Sequence, residues 1–221
     1  MTAQTATAAP DVHSPPRVED VMGRQIARLQ AEYTRPGSQP TPWAAATMAA
    51  LRRATPGCLD ADPATWEVVY SALPERLMGH GEALSRVERA AHAALVLYAV
   101  HQTSQPRPLH QRGVRLGQAL RRLPGASDEQ SPVLRRFNSL VAASTFDATM
   151  YYLRSLMTLL RREGIVLDHA GLCRDLLRLQ DPKAAPAVRR QWGRDYFGSR
   201  GVSEPAVEEN STVERGAGES A

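Results

Sequence analysis

Arginine side chains gather on one side of a predicted helix in the stretch YYLRSLMTLLRREG, residues 151–164. Apolar side chains recur there at helical spacing, while Arg154, Arg161 and Arg162 lie on another side of the same helix. The guanidinium group of arginine is a planar fork of N–H donors that matches the oxygens of a phosphate group. The spacing therefore favours the binding of an anion, and the backbone of a nucleic acid is the natural one.

The two predicted helices that precede this one, 113–123 and 132–144, carry arginines beside their apolar sets in the same way. Asp147 and Glu163 are the only acidic residues in the three sequences, so salt bridges within a helix cannot neutralise the arginines. We predict that the nucleic-acid-binding residues include the eight arginines of these helices: Arg115, Arg121, Arg122, Arg135, Arg136, Arg154, Arg161 and Arg162.

The positive charge of the chain is concentrated in its second half. Residues 17–105 hold nine basic and nine acidic side chains, whereas residues 106–198 hold sixteen basic and eight acidic ones. Such asymmetry suggests an anionic partner for the second half. A run of exposed arginines is also compatible with a merely solvated surface, and charge alone does not separate the two interpretations.

Other residue types do not have the spacing of a catalytic or metal site. His169 and Cys173 are four residues apart, as two metal ligands could be, but no second pair accompanies them, and a packed helix face is their expected role. No GxSxG motif surrounds a serine, and Gly113 and Gly117 lack the lysine of a phosphate-binding loop. The sequence therefore predicts a protein that is not an enzyme and needs no metal or cofactor.

Composition and helix-start signals indicate which elements must position the arginines. Alanine, leucine and arginine are abundant, and no segment alternates as a half-buried strand would. Thr41 and Asp62 each precede a proline, Ser85 and Glu88 have the spacing of a capping box, and Thr145 begins the helix described first. We predict an all-α protein, a compact bundle of eight to nine helices.

The chain divides into four stretches. Residues 1–16 and 199–221 have the composition of disordered tails, the second of them acidic with five glutamates and two arginines. Residues 17–105 form an N-terminal helical part, and residues 106–198 form a basic C-terminal helical part. No apolar segment reaches the ~20 residues that a membrane span needs, and the two cysteines form no CxxC motif, so we expect a cytoplasmic protein.

The ordered segments of residues 20–198 resemble the CasB family, the small subunit of the type I-E CRISPR Cascade complex. The most specific part is GxxLGxALxxL followed by RRFxxL and DxxxxxLRxL, whereas residues 56–83 and both tails match poorly. The segments that carry the resemblance are MAALRRA at 48–54, LYAVHQT at 97–103, GVRLGQALRRL at 113–123, LRRFNSLVAAS at 134–144, FDATMYYLRSLMTLLR at 146–161 and LDHAGLCRDLL at 167–177.

The resemblance implies a non-catalytic, all-helical subunit that is present as two copies in a surveillance complex. Its expected partners are the backbone and large Cascade subunits, the second copy of itself, the crRNA-guided target DNA and the displaced non-target strand. Because base pairing reads the sequence in such complexes, these eight arginines are expected to stabilise the R-loop by sequence-independent backbone contacts. The resemblance extends this expectation to Arg189, Arg190 and Arg194 near the C-terminal helix, so that eleven arginines are predicted to bind nucleic acid. The alternative is a helical adaptor whose arginines contact acidic partner subunits rather than DNA.

Overall fold

The computed structural model describes residues 17–198, and both predicted tails lie outside this range. The described residues form nine α-helices and no sheet, with one isolated bridge between His110 and Leu167. The all-α prediction and the predicted helix number are confirmed. The helices are α1 (Val18–Tyr33), α2 (Pro42–Arg53), α3 (Trp66–Tyr70), α4 (Arg86–Gln102), α5 (Leu116–Arg121), α6 (Pro132–Ala142), α7 (Phe146–Arg162), α8 (His169–Leu179) and α9 (Ala185–Phe197).

Side-chain caps set the starts of five of the nine described helices. At α4, the Ser85 hydroxyl accepts the Glu88 backbone N–H at 3.1 Å, and the Glu88 carboxylate accepts the Ser85 N–H at 2.8 Å. This reciprocal pair is the capping box that the sequence predicts. The Thr41, Ser131, Thr145 and Asp168 side chains each accept an N–H in the first turns of α2, α6, α7 and α8.

Asp62 does not act as the predicted cap. Its carboxylate accepts the backbone N–H of Thr55 at 3.2 Å and makes no cap hydrogen bond to the residues that follow. Residues Pro63–Thr65 therefore form a 3₁₀ turn, and the α-helix begins only at Trp66. The prediction was wrong because the partner of Asp62 lies seven residues before it, across the turn that follows α2.

Helix α4 lies at the centre of the molecule. Every residue from Ala90 to Gln102 is buried, and α4 packs against α1, α2, α7 and α8. A helix that is apolar around its whole circumference must be enclosed by other elements, and its many alanines allow the neighbours to approach closely. No described helix has both the length and the apolarity needed to cross a bilayer.

Helices α5 and α9 pack in close contact because of Gly117. A Cβ atom at this position would lie 2.7 Å from the backbone nitrogen of Tyr196, closer than real Cβ contacts. The ring of Tyr196 in turn stacks on Phe137 of α6 with centroids 4.3 Å apart, and its hydroxyl donates to the carbonyl of Ala126. The glycine of the GxxLG motif thus allows the close contact of α5 with α9, and the stacked rings of Tyr196 and Phe137 join α9 to α6.

Helix α5 is shorter than the predicted helix 113–123. Gly113 has a φ of +87°, and its backbone N–H donates to the carboxylate of Asp168, so the chain is not yet helical there. Arg115 consequently occupies the N-cap position, and Arg122 is the first residue after the helix. The two arginines flank α5 instead of sharing one of its sides.

Candidate nucleic-acid interface

Arg154, the first arginine of the opening motif, closes the C-terminal end of α2. Its guanidinium group donates to the carbonyl oxygens of Arg52 at 2.6 Å and Ala54 at 3.2 Å. Carbonyl groups at a helix C-terminus have no partner within the helix and carry partial negative charge, so a cation there stabilises the helix. Arg154 is half-buried and has a structural role in addition to its charge.

Arg189 and Arg121 contact the ends of other helices in the same way. Arg189 donates to the carbonyl oxygen of Ala143, the C-cap of α6, at 2.7 Å. Arg121 donates to the carbonyl oxygen of Tyr196, near the end of α9, at 3.0 Å. Carbonyl groups do not cancel the charge of a guanidinium group, so these residues keep their positive charge while their positions are fixed.

Three further predicted arginines have partners nearby. Arg135 and Arg136 donate to backbone carbonyl oxygens of Gln130 and Pro132, within or just before the first turn of their own helix. Arg115 reaches the buried carboxylate of Asp195 on α9 at 3.4 Å. Among the eleven predicted arginines, it is the only one with an ion pair in residues 17–198.

The other five predicted arginines form neither an ion pair nor a side-chain hydrogen bond to a carbonyl group in the described part of the chain. All are exposed except Arg161, which is half-buried. They lie at the end of α5, in the last turn of α7 and along α9, three elements that Gly117 and α6 hold together. The five are Arg122, Arg161, Arg162, Arg190 and Arg194.

The structure also brings together arginines that the sequence did not connect. An open cavity of about 520 Å³ is lined by Arg86, Arg89 and Arg189, and a second one of about 470 Å³ by Arg53 and Arg154. A smaller cavity lies between them, because it shares Leu84 and Arg89 with the first and Cys58 with the second. We call these three adjoining cavities the arginine groove; its arginines are Arg53, Arg86, Arg89, Arg154 and Arg189.

Acidic side chains only partly balance the arginine groove. The carboxylate of Asp147 lies 3.5 Å from Arg89 and is 76% exposed, so water screens this pair strongly. The guanidinium group of Arg89 also lies 4.9 Å from the ring centroid of Phe146, and its buried Nε has no hydrogen-bond partner among the described residues. Asp60 lines the middle cavity. Five arginines and two aspartates leave the groove positive.

The prediction missed Arg53, Arg86 and Arg89 because it summed charge over a whole half of the chain. The first half is neutral in total, but most of its acidic residues lie outside the groove. A local signal was present in the sequence: Arg86 and Arg89 are three residues apart, in the first turn of a predicted helix, and so share one side of it. No sequence signal joined that turn to Arg189, which lies about one hundred residues later.

His169 belongs to a buried histidine cluster with His101 and His110. Nδ1 of His101 lies 3.2 Å from Nε2 of His169, and the His169 backbone N–H donates to Nδ1 of His110. Burial lowers the pKa of His101 to about 4, and burial together with the two neighbouring imidazoles lowers the pKa of His169 well below its usual value. These rings are therefore neutral near pH 7.

The pair His169 and Cys173 is part of the packed face of α8. Both residues are fully buried, and burial raises the pKa of the Cys173 thiol, which favours the neutral form over the thiolate that binds metals. Among residues 17–198, no three His, Cys, Asp or Glu side chains are placed to hold a metal ion together.

Comparisons with known proteins agree with the fold and with the motifs. The family model of the CRISPR-associated protein Cse2 matches residues 47–197. CasB from Thermobifida fusca has a similar structure, with a TM-score of 0.65 and 33% sequence identity over 81% of this chain and 97% of that one. No curated protein sequence matches the chain significantly.

Two other solved structures have the same fold. A Cse2-family CRISPR-associated protein from Thermus thermophilus has a TM-score of 0.57 and 25% identity over 80% of this chain and 98% of that one. A chain of a CRISPR RNA-guided surveillance complex has a TM-score of 0.55 and 23% identity over 81% of this chain and 92% of that one, a likeness of fold alone. The resemblance found in the sequence is thus confirmed, and the chain belongs to the CRISPR-associated Cse2 family.

Proposed function

We propose that this chain is the non-catalytic small subunit of a type I-E Cascade surveillance complex, and that it stabilises the R-loop by binding nucleic-acid backbone without sequence specificity. One observation carries the proposal: Arg122, Arg162, Arg190 and Arg194 are exposed, and none has an ion pair within residues 17–198. Exposed guanidinium groups that no carboxylate neutralises attract phosphate, and this attraction dominates affinity for nucleic acid.

The eleven predicted arginines divide into two groups under this proposal. The five without an ion pair or a carbonyl partner supply the principal phosphate contacts. The six with partners in the protein retain N–H donors and, except for Arg115, uncompensated charge, so they add to the positive potential of the surface. The phosphates belong to the target DNA and the displaced non-target strand.

The connection between the arginine-bearing helices supports binding that is independent of sequence. A helix-turn-helix reader joins its two helices by three to four residues. Here α5 ends at Arg121 and α6 begins at Pro132, a longer separation. In RNA-guided complexes base pairing reads the sequence, and protein contacts to the backbone tip a nearly balanced strand exchange. A surface of arginines without a reading helix suits that task.

The remaining partners are part of the same proposal. The subunit would contact the backbone and large Cascade subunits and a second copy of itself, in the cytoplasm. The family membership and the solved surveillance-complex chain of the same fold support this assignment.

The test replaces three exposed arginines at once, Arg162→Gln, Arg190→Gln and Arg194→Gln. The control replaces Arg24, Arg35 and Arg76, which are also exposed and also form no ion pair in residues 17–198. Both variants lose the same charge, so any general effect of net charge appears in both. R-loop lifetime and the salt dependence of target binding are measured in the assembled complex.

We expect the first variant alone to shorten the R-loop lifetime. Each lost contact to single-stranded DNA should reduce the slope of log K against log salt by about 0.7, and three contacts by about 2. Equal slopes for the first variant, the control and the unmodified complex would contradict the proposal.

The adaptor function remains the second candidate, and one observation favours it. Six of the predicted arginines already contact protein groups within the chain, so arginine side chains of this fold do serve protein contacts. If the arginines bind acidic partner subunits, the subunit with the three substitutions should dissociate from the complex. Native mass spectrometry of the purified complex measures subunit occupancy and separates the two functions.

A further inference from the structure

Tyr151 is the most exposed large hydrophobic side chain among the described residues. Its exposed fraction is 73%, compared with 51% for Phe197 and 43% for Trp66. It lies on α7 three residues before Arg154, while Met150 and Leu153 on either side of it in sequence face the core. The ring of Tyr151 therefore contributes little to the packing of the core.

The orientation of the Tyr151 ring is restricted by its neighbour. The rings of Tyr151 and Tyr152 meet nearly at right angles, with an interplanar angle of 78° and centroids 5.3 Å apart. Tyr152 is half-buried against the core, so it provides a fixed support. A restricted ring loses little conformational freedom when another flat group stacks on it.

Tyr151 borders the end cavity of the arginine groove, the one of about 470 Å³. Part of the cavity wall is apolar, with Ala54, Pro56 and Met150, and its charged residues are Arg53, Arg154 and Asp147. An aromatic ring, an apolar wall and nearby guanidinium groups complement the two parts of a nucleotide, which are a flat base and an anionic phosphate.

The charged side chains around this cavity favour one position for a bound phosphate group. Arg154 is held by the carbonyl oxygens of α2, and Asp147 on α7 repels anions. The exposed side chain of Arg53 has no ion pair in residues 17–198. A phosphate beside a base on Tyr151 is therefore attracted towards Arg53 and away from Asp147.

We propose that Tyr151 stacks on an unpaired base of a DNA strand and that Arg53 binds the neighbouring phosphate. The inference rests on the proposed function, because an R-loop supplies unpaired bases, and it adds recognition of bases to contacts with the backbone. A strand is favoured over an apolar side chain of a partner protein, because the groove continues from this cavity to Arg86, Arg89 and Arg189 and so matches a repeating anion.

The test combines removal of the tyrosine ring with removal of the bases. The assembled complex is made with the unmodified subunit, with Tyr151→Ala and with Tyr151→Phe. Each binds a pre-unwound target whose displaced strand carries either thymines or abasic sites. Both strands have the same number of phosphates, and neither is paired, so the comparison isolates contacts to the bases.

The unmodified complex and Tyr151→Phe should bind the strand with bases about tenfold more tightly than the abasic strand, since phenylalanine retains the stacking surface. Tyr151→Ala should bind both strands equally, with the affinity that the unmodified complex has for the abasic one. The salt slope should stay the same in all three complexes, because the number of phosphate contacts does not change.

The outcomes separate this inference from the proposed function. If Tyr151→Ala still prefers the strand with bases, the stacking proposal is wrong, while phosphate binding stands as long as the arginine triple variant lowers the salt slope. If Tyr151→Ala instead lowers the occupancy of this subunit in the complex, Tyr151 contacts a partner protein and the inference also fails. If the affinity for DNA does not depend on salt concentration in any of the complexes, both the proposed function and the inference are wrong.

Discussion

Arg154 on α7 donates a hydrogen bond to the carbonyl oxygen of Arg52, which lies 102 positions earlier in the chain and in the last turn of α2. The same guanidinium group binds the carbonyl of Ala54 and lines the arginine groove. One side chain therefore contributes to both the fold and the candidate site, so a substitution at position 154 tests both at once.

Replacement of Arg154 by alanine should destabilise the protein. Two hydrogen bonds from a charged donor are lost, and two carbonyl groups at the end of α2 lose their partner, so we expect the free energy of unfolding to fall by about 1–3 kcal/mol. Urea unfolding measures the change. Arg162→Ala on the same helix is the control, because Arg162 is exposed and its loss should change stability by less than about 0.5 kcal/mol. Equal effects would show that the contact with α2 is unimportant.

Replacement of Gly117 by alanine should disrupt the contact between α5 and α9. The new Cβ would meet backbone atoms of α9, which cannot move away as a flexible side chain can, so we expect a loss of about 1–3 kcal/mol. Gly193 provides a matched control, since it lies within α9 and has open space where its Cβ would be. Gly193→Ala should raise stability by about 0.5–1 kcal/mol. Thermal unfolding of both variants checks the opposite signs.

Acid should destabilise the fold through its buried histidines. Burial lowers the pKa values of His92 and His101 to about 4, whereas an imidazole in the unfolded chain titrates near 6.5. Between these values the unfolded state binds more protons, so stability is fully present above about pH 6.5 and is lost as the pH falls towards 4. Each histidine contributes at most about 1.4 kcal/mol per pH unit. Urea unfolding between pH 7.5 and 4.5 measures the slope.

The substitution His92→Leu measures how much one buried histidine contributes to that acid sensitivity. Neither ring nitrogen of His92 has a hydrogen-bond partner among the described residues, so leucine removes a buried titratable group without breaking a hydrogen bond. We expect a flatter dependence of stability on pH, with stability at pH 7.5 unchanged or increased. An unchanged slope would mean that other groups cause the acid sensitivity.

Asp195→Asn should strengthen binding to DNA. The Asp195 carboxylate is the ion-pair partner of Arg115, and asparagine removes its charge with little change of shape. Arg115 is then available for phosphate, so affinity at low salt should rise and the salt slope should steepen by up to about 0.7. Titration of single-stranded DNA at several salt concentrations measures both quantities. Glu67→Gln, which removes an exposed acid that lies outside the arginine groove and forms no ion pair in residues 17–198, is the comparison; an equal gain there would reflect net charge alone.

Local interactions explain what the sequence could predict. The Ser85 and Glu88 capping box joins residues three apart, and the apolar periodicity of α7 is a property of one segment. Both can be read from a few neighbouring residues. The partners of Arg154 and Arg189 could not be predicted in this way, because their carbonyl groups belong to helices 46 to 102 positions away. Such contacts depend on how the helices pack.

The length of α5 illustrates the same limit. The spacing of Leu116, Leu120 and Leu123 is helical, but Gly113 is held by Asp168, at the start of α8, in a conformation with positive φ. This long-range contact decides that Arg115 is a cap residue and not a member of a helix face. The sequence of residues 113–123 alone does not indicate this contact.

The absence of a side chain at Gly117 also affects how a strand would meet this surface. Helices α5 and α9 touch along their backbones at this point, so neither can slide or tilt without the other. The intervals between the backbone positions of Arg122, Arg190 and Arg194 are consequently set before any ligand binds. Under the proposed function, a polyanion would meet helices whose relative positions are already fixed, and only the arginine side chains would have to become ordered.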